Sequence, residues 1–127
     1  EGEGPFPAVV IMHDCSGLGA RSSGAPLRWA GELLQQGYVV LIPDSFSPRG
    51  FADGVCFIPG KESVRVNGMV RAGDAYGALA ALRALAYVDG KRVGMHKVVK
   101  LPGFGPSFKG SLADVAIRYL CATPQPR

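Results

Sequence analysis

PAVVIMHDCSGL, residues 7–18, runs a block of valine and isoleucine straight into His13-Asp14-Cys15-Ser16-Gly17. A short, unbroken apolar run rich in β-branched residues reads as a strand covered on both faces. YVVLIPD (38–44) repeats the pattern and is ended by Pro43. Between the two, APLRWAGELLQQG (25–37) spaces Leu27, Trp29, Ala30, Leu33 and Leu34 near helical period. Pro26 suits the first turn of that helix and Gly37 its stop.

Further along, a Gly/Pro loop from Ser45 to about Ser63 precedes VNGMVRAGDAYGALAALRALAYV (66–88), a long alanine-rich helix with Arg71, Asp74 and Arg83 expected on its wet side. KRVGM (91–95), or the longer RVGMHKVVKL, supplies a third strand. SLADVAIRYLCA (111–122) reads as a last helix, with Ser111 as N-cap and Asp114 in the capping-box position. Strands alternating with helices predict one α/β domain over residues 1–127, a three-layer sandwich around a short, mainly parallel sheet. Ligands gather at the carboxyl ends of the strands in such sheets, and both HDCSG (13–17) and PDSFSPRG (43–50) fall there.

Composition narrows the function classes. With 47% hydrophobic and 19% charged residues, the chain is not a disordered one. No apolar run approaches the ~20 residues of a membrane span. The opening EGEGPFP shows no signal-peptide pattern. Cysteines 15, 56 and 121 make no metal spacing, and the odd, scattered set reads as free thiols in a reducing cytoplasm. The net charge of +4 is uneven: four Lys/Arg against seven Asp/Glu up to residue 63, then ten against three. The basic residues of the second half are spaced out with almost no aromatic interleaving, so they read as solvated faces rather than a nucleic-acid site. The expectation is a cytoplasmic protein with no cofactor, no metal, no nucleic-acid partner and no membrane contact.

Four stretches carry a family likeness: PAVVIMHDCSGL, WAGELLQQGYVVLIPDSFSPRG, GVC and RAGDAYGALAALRALAYVDGKRVGM. In this order and spacing the chain resembles the dienelactone hydrolase family of the α/β-hydrolase superfamily up to residue 95, about three-quarters of its length. The resemblance implies a partial α/β-hydrolase fold and hydrolysis of an ester or lactone, in which Ser or Cys attacks the carbonyl, His is the base and an acid orients the His. Such a nucleophile sits on a tight turn written G-x-S-x-G or G-x-C-x-G. No window of the chain satisfies either pattern. The nearest is Gly105-Pro106-Ser107-Phe108-Lys109-Gly110, one residue too long, which makes Ser107 one nucleophile candidate. A second comparison sets LPGFGPSF (101–108) against the family's late histidine stretch, with Pro106 where the histidine belongs. Both alignments leave the site incomplete. Residues 96–127 diverge from the family, as if the chain were truncated or rearranged after residue 95.

By the same resemblance, HDCSG matches the loop that builds part of the oxyanion hole, with the backbone N–H of Cys15 as donor. Asp14 occupies the place of an acidic residue near the nucleophile, suited to orienting a substrate or modulating a thiol. Cys15, with His13 or Asp14 alongside, is the other nucleophile candidate. Arg49 is placed to hold a substrate carboxylate with its fork, Asp44 to brace its loop, and Cys56 matches a recurrent family cysteine. His96 reads as structural or solvated, and neither histidine follows Ser107. Two functions stay open. One is a weak or inactive hydrolase of esters or lactones. The other is a non-catalytic remnant that binds small acyl ligands or serves as an interaction module. A sheet shortened in this way leaves an edge uncovered, which predicts a homo-oligomer.

Overall fold

The computed structural model describes residues 4–58 and 63–97. Ser107, Cys121 and the helix expected over 111–122 lie outside the described residues. The described chain runs β1 (Phe6–Met12), α1 (Ala25–Gln35), β2 (Val39–Leu41), α2 (Gly68–Arg83) and β3 (Val88–Lys97), with 3-10 turns at Ser47–Arg49 and Ser63–Val66.

The three strands form one parallel sheet in the order β2-β1-β3. The register sets Ala8 against Val39 and Val10 against Leu41 on one side, and Val9 against Gly94 and Met12 against Lys97 on the other. From β1 the chain steps one way to β2, then crosses back over β1 to β3. Right-handed crossovers in opposite directions place their helices on opposite faces. The cores agree: Ala8, Val10 and Met12 pack with Ala75, Ala78, Leu79 and Leu82 of α2, whereas Val9 and Ile11 pack with Ala30 and Leu33 of α1. An unbroken apolar run at β1 is therefore what a strand between two helices requires, since both of its side-chain rows are buried.

Local signals explain the helix ends. Pro26 sits in the first turn of α1, and Gly37, at φ 82°, ends it with its N–H on the Leu34 carbonyl. Asn67 caps α2 by accepting the Val70 N–H, a cap the sequence reading did not pick out.

The expected helix over 66–88 stops early, at Arg83. Leu85 and Val88 are needed elsewhere: Val88 joins the α2-side core and Leu85 packs against it. The Tyr87 carbonyl accepts the Phe6 N–H at 2.8 Å, which draws the chain into pairing with β1. Tertiary pairing overrides alanine-rich helix propensity here. β2 is shorter than the 38–44 stretch suggested, and β3 is longer than KRVGM. No helix among the described residues is long and apolar enough to cross a membrane.

Candidate functional site

β1 delivers His13 to the carboxyl end of the sheet, fully buried at 0% exposure. Its Nε2 accepts the backbone N–H of Ser45 at 3.1 Å. That bond leaves Nδ1 as the protonated nitrogen, which donates to the Asp14 carbonyl at 2.9 Å. Burial holds the His13 pKa below its ordinary value near 6.5; the Asp14 carbonyl works against that, and the nearby Arg71 charge adds to it. His13 is thus a neutral imidazole with both ring nitrogens engaged. It has no nitrogen left to take a proton from a nucleophile.

Phe46 is the packing centre of this end of the sheet, at 1% exposure. The His13 ring meets it edge-on at 4.4 Å, and the Arg71 guanidinium lies 5.1 Å from its centroid. Arg71 also donates through Nη2 to the His13 carbonyl. Asp44 accepts the N–H groups of Phe46 and Ser47 at 2.9 and 3.0 Å, so it braces the turn that delivers Phe46. Burial acts to raise the Asp44 pKa, but the Ser47 and Phe46 hydrogen bonds outweigh it and the net shift is downward.

Asp14 is likewise occupied locally. Its Oδ1 accepts the Ser16 N–H and hydroxyl, and its Oδ2 accepts the Ser23 hydroxyl at 2.9 Å. Burial favours the neutral acid, yet these bonds outweigh it and keep the pKa low. The Ser16 hydroxyl in turn accepts the Ser23 N–H, closing the loop between β1 and α1 on itself.

The cysteines correct the sequence reading. Cys15 is not a free thiol; it is joined to Cys56 by a disulfide with the Cα atoms 4.9 Å apart. A sequence separation of 41 conceals the proximity. The loops that follow β1 and β2 leave the same edge of neighbouring strands, so they meet in space. Val55 donates to the Cys15 carbonyl at 2.7 Å, and Gly54 lies so close that an added Cβ would stand 2.6 Å from that oxygen, at a φ of 85° besides. Only glycine permits this approach. A disulfide sulfur supplies no thiolate for attack, so Cys15 as it stands here is a cross-link rather than a nucleophile. The free-thiol argument for a reducing compartment goes with it.

Arg49 is the second correction. Its fork does form, but on a carboxylate of the protein: Nη1 and Nη2 reach Oδ2 and Oδ1 of Asp74 at 2.8 and 2.7 Å, and Nη1 also donates to the Ser45 carbonyl. Asp74, held below the usual carboxylate range by Arg49, is therefore not a solvated residue of α2, and neither is the half-buried Arg71. The two lie three residues apart and so share one helix face, the face turned to the loop after β2. His96 sits on β3 with its ring 5.6 Å from that of Trp29, and burial pushes its pKa down. Among the described residues no group of three or more His, Cys, Asp or Glu could hold a metal ion.

Ser45, Phe46, Arg71 and Asp74 were not singled out as site residues from the sequence. Phe46 is one of three phenylalanines in the loop from Ser45 to Ser63, so its aromatic character alone did not mark it out. No family model matches the chain, and neither does any curated protein or solved structure.

The shifts at this site set the pH dependence of folding. His13 and His96 titrate near 6.5 when unfolded and lower when folded, so below about pH 6.5 the unfolded chain binds protons that the folded chain refuses. Stability is then full above that pH and falls as pH drops toward the folded values. Asp14, Asp44 and Asp74, also lowered, add a second loss below their ordinary value of 3.8. The urea midpoint is expected to be lower at pH 5.5 than at pH 7.5. Equal midpoints would contradict the lowered pKa values of His13 and His96.

Proposed function

We propose that the chain is a dienelactone-hydrolase-like protein, with a partial α/β-hydrolase fold, that binds small esters or lactones at the loop after β1 and turns them over weakly or not at all. The family motifs quoted above support the ancestry. The parallel β2-β1-β3 sheet, with helices on both faces and HDCSG at its carboxyl edge, is compatible with it. The loop 13–17 is pinned by Asp14, by the Cys15–Cys56 bridge and by Val55. That pinning suits a fixed backbone donor for an acyl oxygen better than a moving catalytic side chain.

The observation that carries the low turnover is His13. A base for acyl transfer must have a nitrogen facing the nucleophile, and both of its nitrogens face backbone groups. Without a working triad, donors and binding alone leave at most roughly 10³–10⁴-fold over water, and far less here, since the sequence has no nucleophile elbow to supply the second oxyanion N–H.

The test pairs turnover with binding. Purified chain mixed with p-nitrophenyl acetate at neutral pH is expected to give a linear trace close to the buffer rate. A small lactone such as γ-butyrolactone is expected to shift the amide resonances of residues 14–17. A burst of nitrophenol that Ser107→Ala abolishes would overturn the low turnover and make Ser107 the nucleophile. Amide resonances unmoved by the lactone would remove the binding half.

A further inference from the structure

On the α2 face of the sheet, a cleft of about 240 Å³ opens beside the carboxyl ends of β1 and β3. Met12, Met95, Ala72, Ala75 and Tyr76 give it apolar walls, and Arg71 is its one charged group among the described residues. Its size falls a little below the roughly 300–1,000 Å³ of sites for drug-sized ligands. A small molecule with an apolar body fits such a space.

The polar chemistry is confined to Arg71. Its Nη2 is engaged by the His13 carbonyl, while its Nε is buried and has no hydrogen-bond partner. The two carboxylates near enough to act on its charge, Asp74 and Asp14, make no ion pair with it. Asp74 is taken by Arg49, and Asp14 by Ser16 and Ser23. Arginine stays protonated in proteins, so the cleft is lined by a cation that has no direct counter-ion among the described residues. A guanidinium without a counter-ion gains most from a charged hydrogen-bonding partner.

We propose that this cleft binds a small amphipathic monocarboxylate, its carboxylate on the Arg71 guanidinium and its apolar tail along Met12, Ala75 and Met95. One guanidinium matches one negative charge. A phosphate, with its larger charge and hydration, would need further donors that these walls lack. The proposal rests on the acyl-ligand reading only for the scale of the ligand. It requires no nucleophile and places the ligand on Arg71 rather than on the loop amides.

Hexanoate titrated into the protein, observed through the methionine methyl resonances, tests it. Met12 and Met95 are expected to shift, and the exposed Met69 is expected to stay put as an internal control. 1-Hexanol, equal in tail but uncharged, is expected to bind at least tenfold more weakly. Arg71→Gln is expected to lose at least tenfold in hexanoate affinity. Because Arg71 also holds the His13 carbonyl, Ala72→Leu provides a second variant that fills the cleft and keeps the cation; it is expected to abolish binding with unchanged circular dichroism. No methyl shift at tens of millimolar hexanoate, equal binding of hexanol, or full binding by Ala72→Leu would each overturn the proposal. Binding of lactone at residues 14–17 without hexanoate at Arg71 would leave the earlier reading standing and sink this one alone.

Discussion

Cys15→Ser is expected to lower stability by roughly 4 kcal/mol under oxidising conditions. The bridge closes a span of 41 residues, and the chain-entropy relation for a loop of that length gives about this value. A single domain has about 5–15 kcal/mol in all, so the loss would remove roughly a quarter to four-fifths of the total. Cys56→Ser and the double variant are expected to match Cys15→Ser, since all three remove one and the same cross-link. Dithiothreitol should bring the parent chain down to the level of the variants and leave the variants where they are. Urea unfolding with and without reductant measures this. A parent chain indifferent to reductant would show that the loop 51–58 is held by its backbone contacts alone.

His13→Ala is expected to cost about as much, for a different reason. The imidazole accepts the Ser45 N–H inside the core, and a buried donor left unpaired costs about 1–3 kcal/mol. The lost ring also leaves a cavity against Phe46, at roughly 2–3 kcal/mol for a deletion of this size. His13→Gln offers an acceptor near the place of Nε2 and is expected to recover part of the loss. The expected order of urea midpoints is parent, then Gln, then Ala. An Ala variant as stable as the parent would mean that His13 is not a structural residue.

The fold was legible where one signal sufficed. Two blocks of valine and isoleucine, with a proline-led, glycine-stopped helix between them, announced β1, α1 and β2. An Ala-rich run gave α2. Boundaries failed where a long-range partner decided them: nothing local in LRALAYVDG says that Leu85 and Val88 leave the helix to reach β1. The site was legible in position and not in role. HDCSG and PDSFSPRG stand at the carboxyl edge, as an alternating α/β pattern requires. Yet the side chains in them that invited a chemical reading are engaged within the protein: Asp14 and Asp44 by neighbours in their own loops, the others by partners far away in sequence. Arg49 finds Asp74, Cys15 finds Cys56, and His13 finds the amide of Ser45. A motif displays residue types in order, but a folded loop decides whether their lone pairs and protons are available. No spacing rule reaches across 25 to 41 residues to settle that.

The state of the His13 ring is the most direct test. Long-range ¹⁵N–¹H correlation spectra distinguish its two tautomers and follow its protonation. The expected result is a neutral ring at pH 7.5 with the proton on Nδ1 and a titration midpoint below 6.5. A ring protonated on Nε2, or one that titrates at 6.5 or above as an exposed or catalytic histidine does, would contradict the account.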